Sequence, residues 1–457
     1  MLGLAVALLF AGCKTLPQYR FARSVPLSRS QQPLDVLSPD GMVNRAARTR
    51  MSRQLAATGD TDLLDYHLGA MQEIGAPPLL SGNAVELLID GPSTYRAMFA
   101  SIEKARDFVF VESFIFEEAV EGQHSLSAVL SAAAKRGVHI FVLYDAVGSL
   151  GTKQEFIDGL ANAGIDLCVF NPINPLDKRF SSLNQRDHRK IVVVDGEIAF
   201  AGGMNFSRAY RLTSAQVRRR AMDQEEALAN GWRDTHVSLR GTAATELERL
   251  FRGSWNKAQC AGDLPVFRGA ARNDGKTLVQ IVASTPQDEA NVIYATMMSV
   301  VTYAQKSIDI TMAYFVPDDA LEAALMEASH RGVRVRIIVP SYSDFSGVFY
   351  AGRAHYQKLL DAGVELFELE NAFLHSKSIV VDGVWSSIGS TNFDWRSFVH
   401  NDEVSVCVID LGFAKTMQGA FQRDLSNSKQ ITSETWKKRG IRQRMKESFW
   451  SSLRYWL

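Results

Sequence analysis

The chain has 457 residues, which at roughly 100–200 residues per domain fits two or three domains or one duplicated unit. Apolar residues make up 46% of the chain and charged residues 22%, so a sizeable core is available and global disorder is excluded. The 50 Lys and Arg side chains balance the 50 Asp and Glu side chains, whereas a protein that coats nucleic acid usually carries a basic excess.

The first residues have the pattern of an export signal. Residues 2–11 form an uncharged apolar run, too short for a bilayer-spanning helix, which needs about 20 apolar residues. Phe10-Ala11-Gly12-Cys13 resembles a bacterial lipobox, in which the cysteine is lipidated and becomes the mature N-terminus. Phe10 departs from the usual Leu, and no basic residue precedes the run, so a cleaved signal or a short uncleaved anchor is the alternative.

Residues 14–80 are predicted to be a basic N-terminal tether followed by a helical lead-in. Within residues 14–53, eight basic and two acidic side chains give a net charge of +6. This charge fits either a tether that lies near anionic lipid headgroups or a solvated linker.

The four cysteines show no metal-binding or redox spacing. Cys168 and Cys407 lie in apolar, strand-like runs, which favours buried small hydrophobic side chains. We therefore expect no disulfide framework.

From about residue 81, apolar strand-like runs alternate with amphipathic helical segments. Gly137 and Gly164 stand where helix-terminating glycines belong. The predicted strands cover residues 84–90, 108–116 and 138–145, and the predicted helices cover residues 95–105, 126–136 and 156–163.

The same pattern recurs in the second half of the chain. Matching pairs are Phe114 and Tyr314, Arg136 and Arg331, and Ala163 and Ala362, at offsets of 200, 195 and 199 residues. A duplicated α/β unit predicts two tandem homologous lobes, residues 81–262 and 275–457, each a mixed, mostly parallel sheet flanked by helices. The lobes would form a pseudo-two-fold dimer within the chain, with one active site at their interface.

Each half carries the same polar motif near its end. The first copy comprises His188, Lys190, Asp195 and Asn205, and the second comprises His375, Lys377, Asp382, Ser390 and Asn392. The spacing from His to Asn is 17 residues in both copies. Two such motifs at equivalent points of a duplicated unit form a specific signal, whereas a single His-x-Lys would mean little.

The spacing makes chemical sense for a phosphodiester. His and Lys two residues apart on a strand project from the same face. The lysines offer positive charge to phosphate oxygens, and Asn205 and Asn392 can donate side-chain N–H groups to them. An imidazole can hold either protonation state near neutral pH, so one can attack phosphorus while the other protonates the leaving oxygen.

These residues resemble the phospholipase D superfamily, which has two such HKD motifs. The resemblance covers about residues 81–457 and is greatest to bacterial cardiolipin synthases, through Glu112-Ser-Phe-Ile-Phe, Tyr314-Phe-Val-Pro-Asp and Trp232-Arg-Asp-Thr-His. It implies a phosphohistidine intermediate formed without a metal or other cofactor.

The resemblance also implies a role for each site residue. His188 would be the nucleophile, and His375 the general acid and then base. Asp234 would orient His188, and Glu403 would orient His375. Lys190, Lys377, Asn205, Asn392 and Ser390 would bind phosphate, while Asp195 and Asp382 complete the motifs and hold the loop that follows.

Three segments depart from the family pattern or extend it. About twelve extra residues follow Asn171, and a second excursion over residues 210–230 contains Arg218-Arg219-Arg220, so these segments either shape lipid access or are solvated loops.

In residues 436–457, seven basic side chains against Glu447 give a net charge of +6. An apolar stripe there predicts a basic helix that lies on a membrane or docks on the protein's own core. The stripe comprises Ile441, Met445, Phe449, Leu453 and Trp456.

The leading functional prediction is a phosphatidyltransferase of the cardiolipin synthase type, which passes a phosphatidyl group to an alcohol such as phosphatidylglycerol. The alternatives are a phospholipase D that uses water, a nuclease of the same superfamily, and a membrane scaffold with a vestigial site. Expected partners are phospholipids and a membrane surface, not nucleic acid. The expected location is the bacterial cell envelope, facing the periplasm and anchored through Cys13.

Overall fold

The computed structural model describes residues 15–21, 24–26, 34–56, 61–173, 184–265, 272–370 and 372–457. Cys13 lies outside the described residues, so its lipidation stays a prediction. Residues 174–183, most of the insertion that follows Asn171, also lie outside them.

The helices of the N-terminal lead-in pack on the second half of the chain. It contains strands β1 (Val36–Ser38) and β2 (Gly41–Met42) and helices Arg45–Ala56 and Thr61–Glu73. Leu64 and Leu68 of the second helix are buried with Val300 of helix Val292–Tyr303 in one apolar core.

The first lobe alternates strands and helices, as its apolar periodicity predicts. Its strands are β3 (Leu79–Ile89), β4 (Phe108–Ser113), β5 (Val120–Glu121), β6 (His124–Ser125), β7 (His139–Asp145), β8 (Asp166–Phe170), β9 (Arg186–Asp187), β10 (Ile191–Val194), β11 (Ile198–Gly202), β12 (Trp232–Arg233) and β13 (Thr235–Arg240). Its α-helices are Asp90–Ile102, Leu126–Lys135, Gln154–Asn162, Ser214–Arg219, Gln224–Asn230 and Thr242–Lys257, and Arg208–Tyr210 is a 3₁₀ turn.

The second lobe repeats this order. Its strands are β14 (Thr277–Ser284), β15 (Ser307–Met312), β16 (Arg334–Pro340), β17 (Glu365–Leu369), β18 (Phe373–Leu374), β19 (Lys377–Val381), β20 (Trp385–Gly389), β21 (Asn401–Ile409) and β22 (Ser428–Ile431). Its helices are Val292–Tyr303, Asp319–His330, Ser346–Arg353, Tyr356–Asp361, Arg396–His400, Leu411–Leu425, Ser433–Lys437, Ile441–Ser452 and Arg454–Trp456.

The main strands form one continuous sheet with internal pseudo-symmetry. Its order is β8-β7-β4-β10-β11-β13-β3-β14-β21-β20-β19-β15-β16-β17-β22, and the antiparallel β3–β14 pair lies at its centre. Within this order, the parallel neighbours are those of β4-β7-β8 and β15-β16-β17, and β1 adds a parallel pair with β3. The sheet is mixed as expected but has more antiparallel than parallel neighbours. The predicted two-lobed α/β architecture is confirmed.

Two short parallel ladders join the lobes close to the HKD motifs. β9 of the first lobe pairs with the start of β21, and β12 pairs with β18. An apolar core also spans both lobes, with Phe110, Phe251 and Trp255 from one side and Val406 and Met417 from the other. The lobes therefore have a fixed relative position, which a shared site requires.

The expectation about disulfides was wrong for one pair. Cys168 on β8 and Cys260, just after helix Thr242–Lys257, form a disulfide across 92 residues of sequence. The pairing depends on the return of the chain to β8, which sequence spacing does not reveal. Cys407 is a free, buried cysteine, as expected.

Candidate active site

Both HKD motifs lie where the lobes meet, each just before a strand of the main sheet. His188 lies between β9 and β10, and His375 lies between β18 and β19. The backbone N–H of His188 donates to the carbonyl of Asp402 at 2.9 Å, and that of His375 donates to the carbonyl of Arg233 at 2.9 Å. Each motif histidine is therefore tied through its backbone to the other lobe.

His188 is paired with Glu403 of the second lobe. Its Nδ1 atom lies 3.0 Å from Oε1 and 3.1 Å from Oε2 of Glu403. Because a carboxylate only accepts hydrogen bonds, Nδ1 carries the proton and the lone pair of the neutral ring is at Nε2. Burial alone would raise the pKa of Glu403, but His188, Lys190 and the hydroxyl of Ser390 outweigh it and hold the pKa at about 2.

His375 is paired with Asp234 of the first lobe. Its Nδ1 atom lies 2.7 Å from Oδ2 of Asp234. The hydroxyl of Tyr210 lies 3.0 Å from the same Nδ1 and donates to Oδ2 of Asp234 at 3.2 Å. Burial raises the pKa of Asp234, which is the reverse of the shift at Glu403. The two His–acid pairs are thus similar in geometry but different in electrostatics.

The predicted pairing of acids with histidines was wrong. The sequence suggested that each acid orients the histidine of its own lobe, whereas each one orients the histidine of the other. The cause is the pairing of short strands between the lobes. β9 pairs with β21, which places His188 next to Glu403, and β12 pairs with β18, which places Asp234 next to His375. The identities of the two acids were nevertheless predicted.

The two motif lysines lie beside the histidines and are buried. Nζ of Lys377 lies 3.1 Å from Nε2 of His375, and Nζ of Lys190 donates to the carbonyl of His188. Burial lowers the pKa of Lys190 to about 7 and that of Lys377 to about 8. The Lys377 ammonium further lowers the pKa of Lys190, so both lysines belong to one site. Two buried ammonium groups beside the imidazoles are suited to contact the oxygens of an anion.

The same environment keeps both imidazoles neutral. Burial lowers the pKa of His188 to about 4, although Glu403 opposes the shift. Burial and then the Lys377 ammonium hold the pKa of His375 well below its usual value, and His188 contributes to the same lowering. A neutral His188 has the free lone pair that a nucleophile needs.

Asp195 and Asp382 hold the backbone and do not contact the imidazoles. The Asp195 carboxylate accepts the backbone N–H groups of residues 106–108, each at 2.9 Å. Asp382 accepts those of residues 305–307 at 2.7–2.9 Å. Both aspartates have a φ of 52°, a left-handed conformation that Asp tolerates better than most residues. Their role in the motif is to fix the turn after β10 and β19.

The predicted phosphate ligands are buried near the site, and two of them already form hydrogen bonds within the protein. Oδ1 of Asn205 accepts the backbone N–H of Ile115 at 3.1 Å, and the Ser390 hydroxyl donates to Glu403. Oδ1 of Asn392 is buried without a hydrogen-bond partner. Their phosphate contacts stay predictions, and Ser390 acts in this structure as a partner of Glu403.

The motif glycines allow the backbone to approach the orienting acids. A Cβ added at Gly203 would lie 2.2 Å from Oδ1 of Asp234, and one added at Gly389 would lie 2.4 Å from the carbonyl of Val404. Neither contact is possible for a real side chain, so glycine is required at both positions.

Sequence reasoning did not identify Tyr210 as part of the site. The residue begins the excursion over residues 210–230, and the change from the family pattern was the only available signal. It is fully buried, and its ring also packs on Trp232 at a centroid distance of 5.3 Å.

A second feature missed from sequence is a pair of ion bridges between the lobes. The residue before each orienting acid pairs with the other lobe: Arg233 with Asp424 at 2.7 Å, and Asp402 with Lys257 at 2.7 Å. The two bridges occupy equivalent places with inverted charges. Each one fixes the segment that delivers an orienting acid.

No group of three or more His, Cys, Asp or Glu side chains suited to a metal occurs in the part of the chain that the structure describes. Over the same residues, no helix is both long enough and apolar enough to cross a bilayer.

Two lobes of this fold with paired HKD motifs at their contact define an enzyme of the phospholipase D superfamily. The family model described as "Cardiolipin synthase, PLD-like domain" matches residues 98–214 and 297–425, once in each lobe, and the chain belongs to this family.

Curated relatives agree with that assignment, and a solved structure shares the fold. The chain is 35% identical to a cardiolipin synthase of Geobacillus sp. (strain WCH70) over 82% of this chain and 72% of that protein. It is 36% identical to cardiolipin synthase A of Pseudomonas putida (strain KT2440) over 80% and 73%. The crystal structure of a phosphatidylserine synthase from Haemophilus influenzae Rd KW20 shares the fold, with a TM-score of 0.60, 14% identity, and coverage of 85% of this chain and 99% of that one.

Proposed function

We propose that the protein is a phosphatidyltransferase that moves a phosphatidyl group from one phospholipid to an alcohol, with phosphatidylglycerol as donor and a second phosphatidylglycerol as acceptor. The observation that carries the proposal is the pair of imidazole–acid couples that meet across the lobe interface beside two buried lysines. The names of the curated relatives indicate the lipid class.

The first step forms a phosphohistidine. Nε2 of neutral His188 attacks phosphorus while Glu403 accepts the Nδ1–H hydrogen bond and stabilises the positive charge that develops on the ring. The bond from phosphorus to the headgroup oxygen breaks, and His375 gives its proton to that oxygen. Lys190 and Lys377 offset the negative charge of the phosphodiester.

His375 can supply that proton only once substrate is bound. In the free site the lysine charges disfavour protonation of His375. An anionic phosphodiester between the lysines cancels that repulsion and raises the pKa of His375. Asp234 and Tyr210 hold the ring in place during this change.

The second step reverses the first. The acceptor hydroxyl gives its proton to His375, its oxygen attacks phosphorus, and the bond between phosphorus and His188 breaks. Water in place of the alcohol would give phosphatidic acid, so acceptor choice depends on exclusion of water from the closed site.

The location of the enzyme is also a proposal: the bacterial cell envelope, facing the periplasm. The Cys168–Cys260 disulfide supports it, because disulfides persist in oxidising compartments such as the periplasm and are rare in the cytosol. The N-terminal apolar run and Cys13 fit the same location.

The decisive experiment is mass spectrometry of lipids after incubation of the enzyme with phosphatidylglycerol vesicles. We expect cardiolipin plus glycerol, no loss of activity in EDTA, and no turnover by His188→Ala or His375→Ala. The matched control is His330→Ala, an exposed histidine outside the site. Phosphatidic acid as the main product would establish a hydrolase instead, and full activity of either site variant would refute the mechanism.

The roles of the two histidines can be separated with a nitrophenyl phosphodiester, whose leaving group needs no proton. We expect a stoichiometric burst of nitrophenolate from His375→Ala, because His188 can still attack phosphorus. His188→Ala should give no burst. The opposite pattern would exchange the two roles.

A further inference from the structure

The C-terminal apolar stripe, residues Ile441, Met445, Phe449, Leu453 and Trp456, is exposed. The fractional exposures of these side chains are 76%, 67%, 59%, 36% and 44% in that order. Among the described residues, these five make up a large share of the bulky apolar side chains that are exposed. A contiguous apolar surface of this kind marks an interaction site rather than ordinary surface composition.

The helix that carries the stripe is docked on the protein by a different face. Glu447 and Leu457 are buried, and Trp450 packs so closely on helix Ser346–Arg353 that a Cβ added at Gly347 would lie 3.0 Å from its ring. Glu447 pairs with Arg439 at 2.8 Å. The predicted docking on the protein's own core thus applies to one face of this helix, while the stripe on the other face stays exposed.

The polar side chains beside the stripe are basic. Arg442, Arg444 and Lys446 are exposed, and no carboxylate among the described residues forms a salt bridge with any of them. Nζ of Lys446 lies 5.0 Å from the ring of Tyr350. Unpaired basic side chains beside an apolar stripe complement an anionic lipid surface.

The C-terminal segment contacts the segment that leads to Glu403 in two places. Trp456 stacks on His400 with a ring separation of 6.4 Å and an interplanar angle of 8°, and His400 is three residues before Glu403. Tyr455 packs on Trp395 at 5.4 Å, in the segment that links Asn392 to Glu403. The C-terminal segment therefore supports the loop that leads to an orienting acid.

Further exposed apolar side chains lie at the active-site edge of the sheet. Val147 and Leu150 follow β7, Ile173 follows β8, and Phe345 lies after β16, with exposures of 37%, 69%, 48% and 48%. These positions follow the carboxyl ends of parallel strands, the same edge at which Phe114 after β4 contacts the His188 ring at 5.0 Å. Both lobes thus present apolar side chains around one edge.

We propose that the C-terminal stripe and these edge residues form a docking face for the surface of an anionic phospholipid bilayer. The inference deepens the proposed function, since it rests on a phospholipid substrate and names the surface from which that substrate enters. The apolar side chains would lie at the boundary between headgroups and acyl chains, with Arg442, Arg444 and Lys446 on the headgroup phosphates. The active-site edge would then face the bilayer.

The test is sedimentation of the full chain with vesicles, in a Cys13→Ala background so that acylation cannot contribute. Vesicles of phosphatidylcholine with and without phosphatidylglycerol are compared. We expect Ile441→Ser/Met445→Ser/Phe449→Ser to lower the partition coefficient on phosphatidylglycerol vesicles at least about tenfold. Arg442→Gln/Arg444→Gln/Lys446→Gln should lower it by about fivefold per charge at low salt, with little effect at high salt.

The matched control is Leu411→Ser, because Leu411 is 56% exposed but begins a helix at the end of β21 remote from Glu403. It should bind as the unmodified chain does. Turnover of short-chain, monomeric phosphatidylglycerol reports separately whether the proposed chemistry is intact. Equal binding of the stripe variant and the unmodified chain would overturn the docking face. A solution dimer that the stripe variant dissociates would also overturn it, because a second copy would then cover the stripe.

Discussion

Glu403 in the second lobe holds the imidazole of His188 in the first, with Nδ1 3.0 Å from Oε1. The reciprocal contact from Asp234 to His375 is 2.7 Å long. Neither lobe can therefore orient its own histidine, and a single lobe would lack a complete His–acid couple. This interdependence explains why two copies of one unit form one site.

Replacing Glu403 with Gln should reduce kcat by about 10⁴-fold, since the amide no longer fixes the Nδ1–H tautomer of His188 or stabilises its cation. The loss should persist with the nitrophenyl phosphodiester, because formation of the phosphohistidine itself is impaired. Rapid-quench detection of the intermediate checks this. Glu434→Gln, an exposed carboxylate outside the site, is the control.

Removing the hydroxyl of Tyr210 should slow only the proton-dependent part of the reaction. Tyr210→Phe deletes a hydrogen bond within the His375–Asp234 couple, so kcat on phosphatidylglycerol should fall by about tenfold. With a nitrophenolate leaving group, the burst rate should be unchanged. Tyr294→Phe removes a similar buried Tyr–Asp contact, with Asp318, that is not part of the His375–Asp234 couple. An equal loss on both substrates would indicate a merely structural effect.

The buried bridge between Arg233 and Asp424 should stabilise the joined lobes. Arg233→Met leaves Asp424 and Asp90 without their guanidinium partner, which should lower the free energy of unfolding by about 3–5 kcal/mol. Arg233→Met/Asp424→Leu should recover much of this loss. Denaturant unfolding measures both, and Arg249→Met, which breaks an exposed bridge to Glu246, should change stability by less than about 1 kcal/mol.

The pH profile of kcat/KM should be limited by the buried lysines. Because burial lowers the pKa of Lys190 to about 7 and of Lys377 to about 8, positive charge is lost as pH rises through this range and binding of the phosphodiester weakens. The acid limb should lie near pH 4, where His188 gains a proton and loses its lone pair. Lys190→Arg keeps its charge and should move the alkaline limb upward. A profile that stays flat beyond pH 9 would contradict this assignment.

The disulfide should contribute to stability and not to chemistry. Cys168→Ser/Cys260→Ser opens a loop of 92 residues and should lower the free energy of unfolding by about 2–4 kcal/mol. The kcat of the folded variant should be unchanged. Calorimetry with and without a reductant checks the effect, since a reductant should lower the Tm of the unmodified chain but not that of the variant.

The two α/β lobes, the motif histidines and lysines, and the family could be predicted from the sequence, and the family resemblance also pointed to the two orienting acids. These features are local: apolar periodicity sets strands and helices, and the 17-residue His-to-Asn spacing is preserved in both copies.

Three features could not be predicted without the three-dimensional structure: which acid pairs with which histidine, the place of Tyr210 in the site, and the bond between Cys168 and Cys260. Each of these depends on which segments become neighbours when β9 pairs with β21 and β12 with β18, and when the chain returns to β8. Strand partners far apart in sequence are chosen by the burial of the whole lobe interface, which no local pattern encodes. The docked face of the C-terminal helix also depends on tertiary contacts, because Trp450 and Leu457 pack on the second lobe.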